Sequence, residues 1–218
     1  MCGRYSLYSN HGKSPVIILD HEIAPMFNIA PTQFVPLITL DDGMQRLHKA
    51  RWGLMPAWAK DVHKTKPYFN ARAENLQHNK VFGSSISRHC LVPMSGFYEW
   101  PKDDRRQPWY FQVAGCELFY CGGLWRDWEY EPGKTFRSFT ILTTGPHPVL
   151  RPVHDRMPVI IDTKHHDQWL EGDDKDAFAL MTTFDGEMTR YRVDPDIVNN
   201  SKNKSSDCIT EYKPGDDN

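Results

Sequence analysis

Apolar and aromatic residues fall in short runs separated by Gly, Pro, Asn and Asp, a spacing that suits strands better than long helices. The runs rich in aromatic and β-branched residues predict strands at Val35–Leu40, Gln45–Trp52, Arg88–Pro93, Gly96–Trp100, Trp109–Ala114, Leu118–Leu124 and Phe136–Thr143. Asp42-Gly43, Ala114-Gly115 and Pro132-Gly133 predict hairpin turns between them. Helical signals are fewer. Asp162 or Thr163 is placed to cap His165–Leu170, Asp173 or Asp174 to cap a turn through Met181, and a short helix is expected after Asn70-Ala71-Arg72-Ala73-Glu74. Many antiparallel strands with few short helices predict an α+β fold. It is expected as a single domain over residues 1–218, with a strongly curved, barrel-like sheet whose closure removes exposed edges. The core is expected over about residues 2–203 and a flexible tail over about 212–218.

Composition narrows the class. At 218 residues and 39% hydrophobic, with seven tryptophans and eleven phenylalanines, the chain can bury one sizeable core. Its apolar runs fall well short of the roughly 20 residues of a membrane span, and no secretory signal is expected. Five cysteines at 2, 90, 116, 121 and 208 suit a reducing compartment better than a disulfide framework. The net charge of −2 hides an asymmetry: residues 1–99 carry eleven Lys/Arg against seven Asp/Glu, and the remainder fifteen against twenty-one. A basic face for a phosphate backbone is compatible with this, as is evenly solvated surface.

Candidate chemistry begins at Cys2. Removal of Met1 leaves one residue carrying both an α-amine, with a reference pKa of about 7.7 to 8.0, and a thiol at about 8.5. Such an aminothiol attacks an aldehyde twice, the amine giving an imine and the sulfur closing a five-membered thiazolidine. On position alone the default is a buried small hydrophobe. Asn28-Ile29-Ala30-Pro31-Thr32 reads as a structural loop. Trp52–Trp58 and Phe69–Glu74 interleave aromatics with cations, which suits single-stranded nucleic acid, although tryptophans are more often core. Glu99 lies among apolar and aromatic residues. It is either a desolvated proton carrier of raised pKa or a carboxylate turned to solvent by strand alternation. His154, Asp155 and Arg156 adjoin in a proline-bounded loop. No spacing matches a zinc site, a phosphate-binding loop or a dinucleotide fingerprint, so neither metal nor cofactor is expected.

Met1-Cys2-Gly3-Arg4, Asn28-Ile29-Ala30-Pro31, Trp52-Gly53-Leu54-Met55-Pro56, Asn70-Ala71-Arg72-Ala73-Glu74, Gly96-Phe97-Tyr98-Glu99-Trp100 and His154-Asp155-Arg156-Met157-Pro158 together resemble the SRAP (SOS response-associated peptidase) family. Order and spacing agree from Met1 to about Asn203, and Val198–Asn203 is similar to the family's late signature. The resemblance implies covalent capture of abasic sites in single-stranded DNA by a mature N-terminal Cys2. Glu99 would shuttle protons for ring opening and imine formation, His154 would protonate or polarise the sugar oxygen, and Asn70 would position the aminothiol and the sugar. It further implies DNA contacts from Arg4, Pro31, Trp58, Arg72, Lys80, Thr143, Asp155 and Arg156. Self-cleavage and lyase activities, a monomer, and a cytoplasmic, nucleoid-associated location in a prokaryote belong to the same set of expectations. Two departures stand out: Trp58-Ala59 replaces a pair of adjacent tryptophans, and Lys80 stands where an arginine is found, keeping charge without the planar fork. Two other classes of function are weighed beside it: an N-terminal-cysteine peptidase or amidohydrolase acting in trans, and a non-enzymatic single-strand-binding module.

Overall fold

The computed structural model describes residues 2–9 and 16–213. In chain order its strands are β1 (Arg4–Leu7), β2 (Val16–Ile18), β3 (His21–Ile23), β4 (Met26–Ile29), β5 (Phe34–Asp41), β6 (Met44–Trp52), β7 (Asn70–Arg72), β8 (His89–Met94), β9 (Gly96–Glu99), β10 (Trp109–Val113), β11 (Phe119–Glu131), β12 (Lys134–Thr144), β13 (Met157–Pro158), β14 (Ile160–Ile161) and β15 (Met188–Arg192). The helices are α1 (His166–Glu171), α2 (Asp174–Ala179) and α3 (Pro195–Val198). The architecture is α+β.

Strands β12, β6, β5, β8 and β11 hydrogen-bond in succession, and β11 pairs back onto β12 to close a five-stranded barrel. The ladders are antiparallel except those of β12 with β6 and β7. Closure depends on β11 changing partners along its length. Phe119–Leu124 face β8, and Gly123 onward faces β12. At Gly123 a Cβ would come within 2.6 Å of the Thr140 carbonyl oxygen and 2.9 Å of Cys90 Sγ, so only glycine lets the strands approach at the corner. The β5–β6 hairpin turns through Asp42 and Gly43, both at positive φ, which is the expected tight turn.

A second sheet, ordered β15-β10-β9-β1-β4, packs against the barrel. Alternation on β9 and β10 sends Phe97 and Phe111 into the main core with Leu7, Val92 and Met94. Tyr98 and Tyr110 go the other way, into a smaller core with Tyr8, Phe27, Val193, Val198 and Cys208. Both faces are therefore covered, which explains the continuous apolar run Gly96–Tyr98.

Several expectations are corrected. Ala114-Gly115 is a turn but not a hairpin between neighbours, because β10 pairs with β9 and β15 while β11 belongs to the barrel. Asn70–Arg72 is a strand, and the helix after it is a 3-10 turn over Ala73–His78. The segment at Asn28 is not a loop. Met26–Ile29 pairs with β1, and Asn28 is buried, donating from Nδ2 to the carbonyl oxygens of Val198 and Asn200. Asp162 caps a 3-10 turn, Thr163–His165, that precedes α1. Asp173 caps α2, which ends at Ala179. Residues 214–218 of the expected tail lie outside the described residues. No helix among the described residues is long and apolar enough to cross a membrane.

Candidate active site

The antiparallel register of β1 on β9, with Arg4 opposite Tyr98 and Ser6 opposite Gly96, brings the start of the chain against the end of β9. Cys2 and Glu99 are thereby neighbours, although 97 positions separate them in sequence. Asn70 arrives from the barrel, where β7 runs parallel to β12 with Asn70 opposite Ile141. Asn70 Nδ2 donates to the Cys2 carbonyl oxygen at 2.8 Å, and Asn70 Oδ1 is buried with no hydrogen-bond partner among the described residues. His154 comes from the excursion between β12 and β13, folded back by Val153 and His154 amides that donate to the Leu150 carbonyl oxygen. His154 Nε2 lies 3.9 Å from Glu99 Oε2, beyond hydrogen-bond length.

Burial governs the electrostatics. Cys2 is fully buried, its Sγ 3.7 Å from the Arg4 carbonyl oxygen. Desolvation, then the Glu99 charge, pushes its thiol above the ordinary cysteine range, against the pull of the chain's positive terminus. The thiol is therefore protonated near neutral pH. Glu99, only 2% exposed, is pushed up to about 7 chiefly by burial, with the Asp155 charge adding and the chain terminus opposing. The covering of both faces of β9 decides between the two readings of Glu99: it does not face solvent.

Burial also lowers the His154 pKa, so the ring is neutral at pH 7. The Arg156 amide donates to Nδ1 at 3.0 Å, which assigns the ring proton to Nε2, on the Glu99 side. Asp155 Oδ1 sits 3.3 Å from the same Nδ1, and its carboxylate is held by Lys102 Nζ at 2.7 Å.

The remaining candidates divide by exposure. Trp58 (65% exposed), Arg72 and Lys80 face solvent, and Pro31 is half-buried. Two arginines turn inward. Arg4 Nη1 donates to Asn28 Oδ1 at 2.6 Å and to the Val198 carbonyl oxygen at 2.9 Å. Arg156 forms a two-pronged pair with Glu74, at 2.7 and 2.8 Å, and also donates to the carbonyl oxygen of buried Thr143. Glu74 and Lys102 are absent from the sequence-derived candidates. Glu74 lies inside the Asn70–Glu74 motif, but nothing local announces its partner 82 positions away.

The profile of the SOS response associated peptidase (SRAP) family matches residues 1–201. This chain belongs to the SRAP family. Among its relatives, "Abasic site processing protein YoqW" of Bacillus subtilis is 33% identical, over 97% of this chain and 100% of the relative. "Abasic site processing protein HMCES" of Xenopus tropicalis is 26% identical, over 85% and 65%. A solved structure from Bacteroides thetaiotaomicron superposes with a TM-score of 0.78 at 22% identity, over 97% of this chain and 100% of that one, and shows the same fold.

Proposed function

We propose that this SRAP-family chain captures abasic sites in single-stranded DNA by forming a thiazolidine between the Cys2 aminothiol and the ring-opened sugar. The observation that carries the reading is the convergence of Cys2, Asn70, Glu99 and His154 on one corner. The names of the relatives support the substrate class.

Loss of Met1, by methionine removal or self-cleavage, frees the Cys2 amine, and the unpartnered Asn70 Oδ1 is an acceptor for its N–H. Opening the sugar breaks C1′–O4′: a base takes the C1′ hydroxyl proton and His154 Nε2–H gives one to O4′. Glu99, near its midpoint at pH 7, is suited to both halves of such exchanges. The amine attacks C1′, and the carbinolamine loses water, for which protonated Glu99 supplies the proton. The thiol, protonated by its burial, follows rather than leads. Glu99 takes its proton as sulfur bonds to C1′, and the sequence releases one water in all. Outside this corner, Arg72 and Lys80 meet phosphates and Trp58 stacks on a base. A phosphate reaches Arg156 only by displacing Glu74.

A single-stranded oligonucleotide bearing an abasic site, mixed with the protein and run on a denaturing gel, tests this. A slow-migrating adduct is expected with wild type and none with Cys2→Ala. Equal adduct from both, or none from either, refutes the proposal.

A further inference from the structure

Arg126, on β11, is 5% exposed and its guanidinium faces no carboxylate among the described residues. Nε donates to Ser85 Oγ at 3.0 Å, Nη1 to the Met55 carbonyl oxygen at 3.4 Å and Nη2 to Ser84 Oγ. Of the five N–H donors of an arginine, two on the terminal nitrogens remain unspent. A buried cation is normally paired or strongly hydrogen-bonded, because desolvation without a counter-charge is costly. Here the neighbour is a second cation. Arg88, exposed and stacked over Trp125 at 5.3 Å, lines the same cleft and has no ion pair among the described residues.

The cleft, about 370 Å³, is bounded by Ser84, Arg88, Arg126 and Trp128 and by Ala57 and Ala59. Asp127 and Glu129 also border it, and each carboxylate already has a partner: Asp127 is held by Arg137, and Glu129 accepts from the Gly133 amide. Ala57 and Ala59 flank Trp58, and Trp128 Nε1 fixes that loop by donating to the Ala59 carbonyl oxygen at 3.0 Å.

We infer that Arg126, Ser84 and Arg88 form a phosphate subsite for the backbone of the strand whose base stacks on Trp58. Arg126 offers its two free N–H groups from a water-poor wall, Arg88 supplies charge from the rim and Ser84 adds a hydroxyl. The subsite rests on the DNA reading above and extends the DNA-binding surface to the far side of the Trp58 loop.

The test is non-covalent binding of an undamaged single-stranded oligonucleotide as a function of salt, for wild type, Ser84→Asp and Arg88→Gln, with crosslinking of an abasic oligonucleotide measured in parallel. Both substitutions are at exposed positions, and a melting curve for each verifies folding. Each variant is expected to bind about tenfold more weakly at low salt, with a slope of log K on log salt shallower by about 0.7 for each phosphate that is no longer neutralised. Crosslink yield at saturating DNA should equal wild type. Unchanged affinity and slope in both variants would overturn the subsite, as would wild type that does not bind the strand. A rise in melting temperature with inorganic phosphate over chloride at equal ionic strength, abolished by Ser84→Asp while the DNA slopes stay the same, would assign the cleft to free phosphate and overturn the strand assignment. Absence of a wild-type crosslink would refute the aldehyde chemistry alone, and the slopes would still decide the subsite.

Discussion

Cys2 and Cys121 are both free, both fully buried, and both hold their thiols protonated above the ordinary cysteine range because burial disfavours the thiolate. Their surroundings differ. Cys121 sits on β11 opposite Val92 and Ile160, with Met94 Sδ 3.6 Å from its sulfur, and packs as an inert member of the barrel core. Cys2 has the same burial, but an amide, a carboxyl near its midpoint and a neutral imidazole crowd its corner. Thiol acidity is thus not what sets Cys2 apart. The difference lies in the terminal amine and in the groups able to carry protons to and from it.

The largest expected effect comes from truncating each cysteine in turn. Cys2→Ala is expected to abolish the covalent product, whereas Cys121→Ala keeps it and costs about 1 kcal/mol of stability, as a small core truncation does. A gel and a melting curve read both. If the two variants lose adduct equally, the contrast fails. Next in size, Glu99→Gln should slow adduct formation by about 10²- to 10⁴-fold, the usual value of a positioned proton carrier. The wild-type rate should fall as pH drops below about 7, where Glu99 no longer accepts a proton, and the Gln variant should lose that inflection.

Glu99 also gives a stability signature that Cys121 cannot. Its carboxyl is raised from an ordinary 4.5 to about 7, so the folded state holds the proton more tightly than the unfolded chain. The native protein is therefore favoured at low pH, and stability drains away as pH rises from the unfolded value through about 7. Glu99→Gln, which does not ionise, should gain on wild type across that window, by about 3 kcal/mol at its upper end. Melting curves from pH 5 to 8 check the trend, and a difference that shrinks with pH would contradict it. The smallest expected effect concerns Tyr5, a core residue whose hydroxyl is buried without a hydrogen-bond partner among the described residues. Tyr5→Phe should stabilise the protein by about 1 kcal/mol, because it removes an unsatisfied polar group. Destabilisation would mean that the hydroxyl has a partner.

The barrel is largely legible in the sequence because its hairpins carry their own punctuation, as Asp42-Gly43 does between β5 and β6. The second sheet is legible only at its centre, where Gly96–Glu99 and Trp109–Val113 fall in runs that predict strands. Arg4–Leu7, Met26–Ile29 and Met188–Arg192 mix polar and apolar residues without clear alternation, and each is held by partners distant in sequence. The candidate corner is legible as residues but not as an environment. That Glu99 is desolvated follows from β9 being covered on both faces, and that Arg4 and Arg156 turn inward follows from Asn28 and Glu74 capturing them. Arg126 gives no signal, since a cation within an aromatic strand reads as an outward-facing residue until the strand is placed.

The mass of the purified adduct and of its N-terminal peptide distinguishes a thiazolidine at Cys2 from any other link. A thiazolidine predicts protein lacking Met1 plus abasic oligonucleotide minus one water, with the mass unchanged by borohydride and the link mapped to Cys2. An adduct that retains Met1, gains two hydrogens on borohydride treatment as a bare imine would, or maps to any residue other than Cys2 would contradict it.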